Sequence, residues 1–436
     1  MTSEHPTFGE SVRVFARIGL LSFGGPAGQI ALMHDELVDK HRWIEEPQFL
    51  HALNFCHLLP GPEAQQLATY IGWRLHGLRG GLMAGTLFLL PGVAIIMALS
   101  MLYVAAAGLD WFAALFLGIK AAVLAVVVQA LIRIAGRALD TAFKRALAAI
   151  AFVALALFDL PFPLVVLSAG LAGWLAATWR PGWLALKAGG PGADAPPRPS
   201  IPATLRTIAA WGAIWALPLL LIWVTLGDDH ALMQIGLFFS QLAVVTFGGA
   251  YAVLAYMAQQ AVQGFGWLNA GEMADGLGLA ETTPGPLILV TQFVGFLAAY
   301  RDAAPFTPLV AGGLGALMTI WVTFAPCFLW IFTFAPWIDR LQHARRLKGA
   351  LATITASVVG VIANLSLWFA LHVIFTRVEE RELGPLRFDW PDAGSIDGLA
   401  LALAAWAAVH LLVLKRSVVE VLGVAAVLGL AVRPFI

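Results

Sequence analysis

Residues 58–73 read LLPGPEAQQLATYIGW. Two prolines flank a glycine, a glutamate follows at once, and two glutamines come close behind. Apolar sequence lies on both sides. The chain around it has 436 residues, of which 60% are hydrophobic and only 12% charged. An ordinary soluble domain is about 25% charged. Mean hydropathy is +0.82, and apolar runs repeatedly exceed about 18 residues, so the chain reads as an all-α polytopic membrane protein. About 12–13 spans are expected, the first near 11–33 and the last near 417–433, with 146–158 short for a hydrocarbon core of about 30 Å. Helix breakers and a carboxylate inside such a chain call for a reason.

The reason begins with repetition. FGGPAGQIALMH starts at Phe23 and FGGAYAVLAYMA at Phe247, while LPGPEAQQLATYIGW and TPGPLILVTQFVGF place prolines at Pro60 and Pro284. The distance from FGG to PGP is 37 residues in each half, and Trp43 and Trp267 share the same offset of 224. After a gap, Pro91 of FLLPG answers Pro326 of FAPC. Seven expected spans separate the starts of the two copies, so the second copy is expected upside down, as two inverted-topology repeats with broken helices. The expected domains are an N-terminal repeat over 1–179, a linker over 180–206 rich in Gly, Pro and Ala, and a C-terminal repeat over 207–436.

Orientation follows from the basic residues. With the N-terminus in the cytoplasm, the cytoplasmic loops hold 16 Lys and Arg and the outer loops 7, the bias of the positive-inside rule. The C-terminus is then periplasmic. The opening MTSEHPTFGESVRVFARIG lacks the order of a cleaved signal. Net charge is zero, and nothing points to nucleic acid.

Proline inside a helix removes a backbone hydrogen bond, and glycine bares the backbone. Irregular backbone at membrane depth is tolerated inside protein or along a watery cavity. FGGP, LPGPE, FGGA and TTPGP therefore predict helix breaks facing the bundle centre. A helix restarting there offers unpaired N–H groups and the positive end of its dipole, which suits an anion. The alternative is ordinary kinking, common in membrane helices. Glu63 and Gln65 follow the first PGP, and Glu281 precedes Thr282, Thr283 and the second. By the 224 offset Glu281 answers His57, and Glu63 answers Leu287. The halves thus share a skeleton and differ in titratable groups. Lys120, about nine residues into the span 111–132, is the clearest mid-membrane cation. It either attracts an anion or pairs with a carboxylate such as Glu63. His34, Asp35 and Glu36 are expected at a solvated interface, Asn364 and His372 as helix–helix hydrogen bonders, and Gly81 and Gly85 in close helix packing. Cys56 and Cys327 read as packing residues.

SFGGPAGQIALMH, FLHALNFCHLLPGPEAQQLATYIGWRLHGLRGGLMAGTLFLLPG, VTFGGAYAVLAYM and GLGLAETTPGPLILVTQFVGFLAAY together resemble the long-chain form of the chromate ion transporter family, over about residues 11–375. The resemblance implies export of chromate across a bacterial inner membrane, driven by ion gradients. Carried over by motif, it marks Gly24, Gly25 and Pro26; Pro60, Gly61, Pro62, Glu63 and Gln65; Gly248 and Gly249; and Glu281, Thr282, Thr283, Pro284, Gly285 and Pro286. On this reading Thr282, Thr283 and Gln65 donate to the oxyanion, Lys120 attracts it, and Glu63 with Glu281 or His57 exchanges protons. Sulfate is a tetrahedral dianion of similar size and is the alternative substrate. Besides the oxyanion and the lipid bilayer, a homodimer is compatible as partner. No HExxH, GxSxG or CxxC occurs, and no metal or cofactor is expected.

Overall fold

The computed structural model describes residues 6–106, 108–185, 199–247, 250–338, 341 and 344–432. Helix α1 (Phe8–Leu21) opens with a reciprocal cap: Thr7 Oγ1 accepts from the Glu10 amide at 3.3 Å, and the Glu10 carboxylate accepts from the Thr7 amide at 2.8 Å. It stops at FGGP, where Gly24 and Gly25 take φ of +84° and +69°. L side chains rarely adopt that region. Helix α2 (Gly25–His34) restarts with Pro26 in its first turn, where proline's missing N–H costs nothing. Helix α3 (Glu46–Cys56) ends before LPGP, and α4 (Glu63–Ala106) begins directly after it.

Helix α4 is folded back on itself. His76 (φ −138°) and Gly77 (φ +62°, ψ −151°) break it into arms 63–75 and 78–106. A Cβ on Gly72 would stand 2.4 Å from the Gly80 carbonyl oxygen, and one on Gly80 2.1 Å from that of Gly72. Residues eight apart would lie about 12 Å apart along one straight helix. Gly81 abuts Phe332 and Gly85 abuts Thr69 and Phe328, where a Cβ would stand 2.7 Å or less away, so both glycines serve close packing.

Helices α5 (Asp110–Ala138), α6 (Ala142–Ala156) and α7 (Phe162–Trp179) follow. Residues 186–198 of the expected linker lie outside the described residues, and α8 (Ile201–Leu226) starts inside its range. Then come α9 (Ala231–Val245), α10 (Ala250–Gln259), α11 (Ala270–Thr282), α12 (Val290–Arg301), α13 (Pro308–Phe334) and α14 (Arg345–Ile374). A short antiparallel hairpin, β1 (Val378–Leu383) with β2 (Leu386–Pro391), precedes α15 (Gly398–Ala408) and α16 (Val418–Ala431).

The chain is an all-α polytopic membrane protein apart from that hairpin. Among the described residues, six helices are long and apolar enough to cross a membrane, and four apolar stretches are shorter. The expected spans 11–33 and 47–73 are each two half-length helices. A helix of 10–14 residues covers about 15–21 Å, less than the roughly 30 Å required. Helix α8 is apolar beyond Thr207 almost to its end and buries none of its residues, the pattern of a helix meant for lipid rather than water.

The helices form two compact units, each drawing on both sequence halves. The first comprises Met1–Met101, Ala188–Ala250 and Thr283–Ala344. Its fully buried aromatics include Phe15, Phe55, Phe88, Phe239, Phe293 and Phe296. The second comprises Leu102–Lys187, Tyr251–Thr282 and Arg345–Ile436. There α14 packs closely on α6 and α7: a Cβ on Gly173 would stand 2.3 Å from the Gly349 oxygen, and one on Gly360 2.1 Å from that of Ala148.

Candidate functional site

Breaking a helix strands backbone donors and acceptors that must find partners elsewhere. In the first unit the two halves supply them to each other. The Gly61 amide, in the first PGP, donates to the Thr246 oxygen beside the second FGG at 2.8 Å. The Gly285 amide, in the second PGP, donates to the Ser22 oxygen beside the first FGG at 2.9 Å. Both donors and both acceptors are 224 residues apart, so one bond is made twice, in opposite senses. Gly61 and Gly285 have φ of +122° and +96°.

The helix-internal prolines reinforce this crossing. The residue after Pro326, Cys327, lies against Gly61: a Cβ there would meet its Sγ at 3.0 Å. The residue after Pro91, Gly92, lies against the second PGP: a Cβ there would stand 2.3 Å from the Pro284 oxygen. Cys327 and Cys56 are buried free thiols.

Two buried glutamines finish the clamp. Gln66 Nε2 donates to the Pro60 oxygen at 2.6 Å, and Gln29 Nε2 donates to the Gly285 oxygen at 2.6 Å and the Ser22 oxygen at 3.3 Å. Both are missing from the expected site. Glutamine at 0–1% exposure in a break is a signal, since buried amides need partners. Buried oxygens of Ser22, Gln29, Gln65, Gln66 and Thr323 have no hydrogen-bond partner among the described residues.

Gly24, exposed, precedes α2 without a side-chain cap, and no atom stands within 4 Å of where a Cβ on Gly24 or Gly25 would be. Glu63 is the first residue of α4, a position where the helix dipole favours a carboxylate. Gln65 is fully buried, and its amide donates to Thr69 Oγ1 at 3.1 Å. Thr282 Oγ1 donates back into its own helix, to Gly278 and Leu279. Thr283 and Pro284–Pro286 are buried in the second loop. Gly248 and Gly249 lie outside the described residues. His57 is exposed at the end of α3.

The second unit, taken by itself, holds the other titratable groups. Glu281 Oε1 accepts from Tyr251 OH at 2.7 Å. The carboxylate partner of Lys120 is Asp275 rather than Glu63: Nζ lies 3.3 Å from Oδ1, and Oδ2 accepts from Tyr103 OH at 2.7 Å. Asp275 is a buried carboxylate outside the motifs, although a carboxylate in a mostly apolar stretch is itself a signal.

Outside the spans, Glu36 departs from the expected solvated surface, while Asp35 stays half exposed and His34 partly exposed. The Glu36 carboxylate is buried among Lys40 at 2.9 Å, Arg17 at 3.7 Å and His41 at 3.8 Å. His34 bonds Glu46 and, at 3.1 Å, Asp39. The Glu46 hydrogen bond raises the His34 pKa above its usual value. The turn after α2 closes with an i→i+5 bond from the His41 amide to the Glu36 oxygen, and the turn after α10 with the same bond from Phe265 to Gln260. Arg42 and Gly266, again 224 apart, both take positive φ there.

A family model described as chromate transporter matches residues 9–174 and 233–430. The chain is 34% identical to a chromate transport protein of Pseudomonas aeruginosa over 378 residues, 85% of this chain and 82% of that protein. It is 28% identical to a chromate transport protein of Cupriavidus metallidurans over 362 residues, 82% and 81% of the two chains. A probable chromate transport protein of Synechococcus elongatus is 28% identical over 83% of this chain and 84% of its own length. No solved structure matches.

Proposed function

The chain belongs to the chromate transporter family, and on that premise we propose that it is a secondary transporter exporting chromate across a bacterial inner membrane. We read the chain as two inverted repeats, 1–179 and 207–436, with the N-terminus cytoplasmic and the C-terminus periplasmic. The observation that carries the reading is the double crossing, Gly61 to Thr246 and Gly285 to Ser22. It ties each helix break of one half to a break of the other. The uncapped start of α2 at Gly24–Gly25 is left facing open space.

Such a frame suits a tetrahedral dianion. The α2 start presents backbone amides and the positive end of a helix dipole, which favour an anion without burying a full charge. The unpaired hydroxyls of Ser22 and Thr323 add donor capacity near the loops. A membrane potential negative inside favours outward movement of each negative charge by about 2.3 kcal/mol per 100 mV. Proton exchange at Glu63, Glu281 or His57 would link the flux to the proton gradient, and rocking of one bundle against another would alternate access.

The test is chromate uptake into everted membrane vesicles with and without the protein, at low and high sulfate. Saturable chromate uptake that sulfate competes with weakly supports chromate as the main substrate. Uptake abolished by equimolar sulfate moves the assignment to sulfate. No protein-dependent uptake of either anion overturns the reading.

A further inference from the structure

Within the second unit, Lys120 on α5 meets the first turns of α11. Gly278 brings the helices together, since a Cβ there would stand 2.2 Å from Ile119 Cγ2. Gly271 lies beside the ammonium, and a Cβ on it would stand 3.1 Å from Nζ. Helix α11 is capped by Asn269, whose Oδ1 accepts from the Glu272 amide at 2.9 Å while the Glu272 carboxylate accepts from the Asn269 amide at 2.9 Å. Lys120 thus approaches the positive end of a 13-residue helix, where an anion is favoured and a bare cation is not.

Asp275 offsets that charge, but loosely. Its Oδ1 lies 3.3 Å from Nζ without the alignment of a hydrogen bond, whereas charge-assisted pairs close to about 2.7–2.9 Å. Tyr103 holds the other oxygen at 2.7 Å. The side chain of Lys120 is 27% exposed and that of Asp275 5%. An incoming anion can therefore reach the cation, while the carboxylate stays behind it. Glu272, one turn earlier on α11, adds a like charge that repels the Asp275 carboxylate. Of the other elements packed on α11, α14 carries Arg345, Arg346, Lys348 and His372, and α16 carries Glu420, paired with Arg416 at 3.6 Å. Among the described residues none of these pairs with Asp275.

We propose that Asp275 gates Lys120: the substrate oxyanion and the Asp275 carboxylate compete for one ammonium, so Lys120 binds the anion only when Asp275 carries a proton. A lysine that held both would place two anionic groups on one cation in a poorly solvated site, where like charges repel strongly. Protonation converts Asp275 to a neutral acid still hydrogen-bonded at Tyr103 and releases the ammonium to the guest. One proton is then taken up with each anion. The linkage lies in binding, so it holds for either direction of flux. The inference rests on the oxyanion-transport reading and adds to it a proton-linked residue at the anion's own cation. By the 224 offset the counterpart of Asp275 is His51, so the first half repeats the helix without the carboxylate.

The experiment is calorimetric titration of the purified full-length protein with sulfate and with chromate, from about pH 5 to pH 9, in two buffers of different ionisation heat. Sulfate stays a dianion throughout. The wild type should lose affinity as pH rises, approaching tenfold per unit, equivalent to about 1.4 kcal/mol, with about one proton taken up per anion. Asp275→Asn should bind with a flat pH profile, and Lys120→Gln should lose at least tenfold at every pH. A flat wild-type profile without proton uptake overturns the gate, as does Asp275→Asn keeping the wild-type slope. If Asp275→Asn does not fold, the wild-type slope and proton count still decide. A wild type that binds neither anion sinks the transport reading and the gate with it, whereas binding without a slope sinks the gate alone.

Discussion

The two backbone crossings are alike, but their clamps are not. Gly61 to Thr246 and Gly285 to Ser22 are the same bond at positions 224 apart. Yet both glutamines that secure the loops come from the first half. Their counterparts in the second half are Val253 and Val290, both fully buried. Gln66 secures its own loop through Pro60, while Gln29 reaches across to the other half's loop at Gly285. Backbone geometry, which any sequence with the right glycines can repeat, is shared. Polar side chains, which decide chemistry and must be individually satisfied, are not. The difference teaches that a duplicated frame can be kept while one copy takes over its locking and the titratable groups of the two copies diverge.

The comparison can be broken most forcefully at the glycines. Gly61→Ala and Gly285→Ala place a Cβ in positive-φ backbone and within 2.8 Å of Gln66 Nε2 or 2.9 Å of Leu289 Cδ1. Each should abolish chromate flux and lower stability by about 1–3 kcal/mol, read by vesicle uptake and by thermal unfolding in detergent. A large effect from one and none from the other would end the idea of equivalent crossings.

Next come the carboxylates that differ between halves. Glu281→Gln, which leaves Tyr251 an uncharged partner, and Glu63→Gln should each reduce gradient-driven accumulation about tenfold, equivalent to about 1.4 kcal/mol, while sparing downhill exchange. Full gradient dependence in either variant would remove that residue from the coupling scheme.

The clamps give a smaller, graded effect. Gln66→Leu leaves one buried carbonyl without its donor, and Gln29→Leu leaves the Gly285 oxygen bare and strips a second donor from Ser22. Losses of about 1–3 kcal/mol are expected, with Gln29→Leu the larger, measured by denaturation midpoints. Equal losses would contradict the asymmetry.

The smallest effect belongs to the interface cluster. Because Glu46 raises the His34 pKa, the stability from this pair is fully present below about pH 6.5, the unperturbed histidine value. It is lost as pH rises through the raised pKa of the folded state. Glu46→Gln should flatten that dependence by about 0.2–1 kcal/mol, since Glu46 is half exposed, as read from melting temperature against pH.

Much of the frame was legible because glycine and proline act through the backbone, and their spacing survives as a plain count. The breaks at Gly24, Gly61 and Gly285 lie where FGG and PGP place them. The partners were not legible. Nothing local tells Gly61 that its acceptor is Thr246, or Lys120 that its carboxylate is Asp275, because such pairings are set by tertiary packing. Thr282 illustrates a further limit: its hydroxyl has a suitable acceptor in its own helix, and a motif cannot show which bond wins. The fold-back of α4 at Gly77 was legible as well, because Arg74, His76 and Arg79 interrupt the apolar pattern between the spans expected to end at 73 and begin at 81.

The most direct test of the crossed-loop account is an experimental structure of the protein bound to chromate. The account predicts a tetrahedral anion in front of the α2 amides at Gly24–Gly25, with Gly61 still bonded to Thr246 and Gly285 to Ser22. An anion bound away from both motif loops and from Lys120, or continuous helix through Gly24 and Gly61, would contradict it.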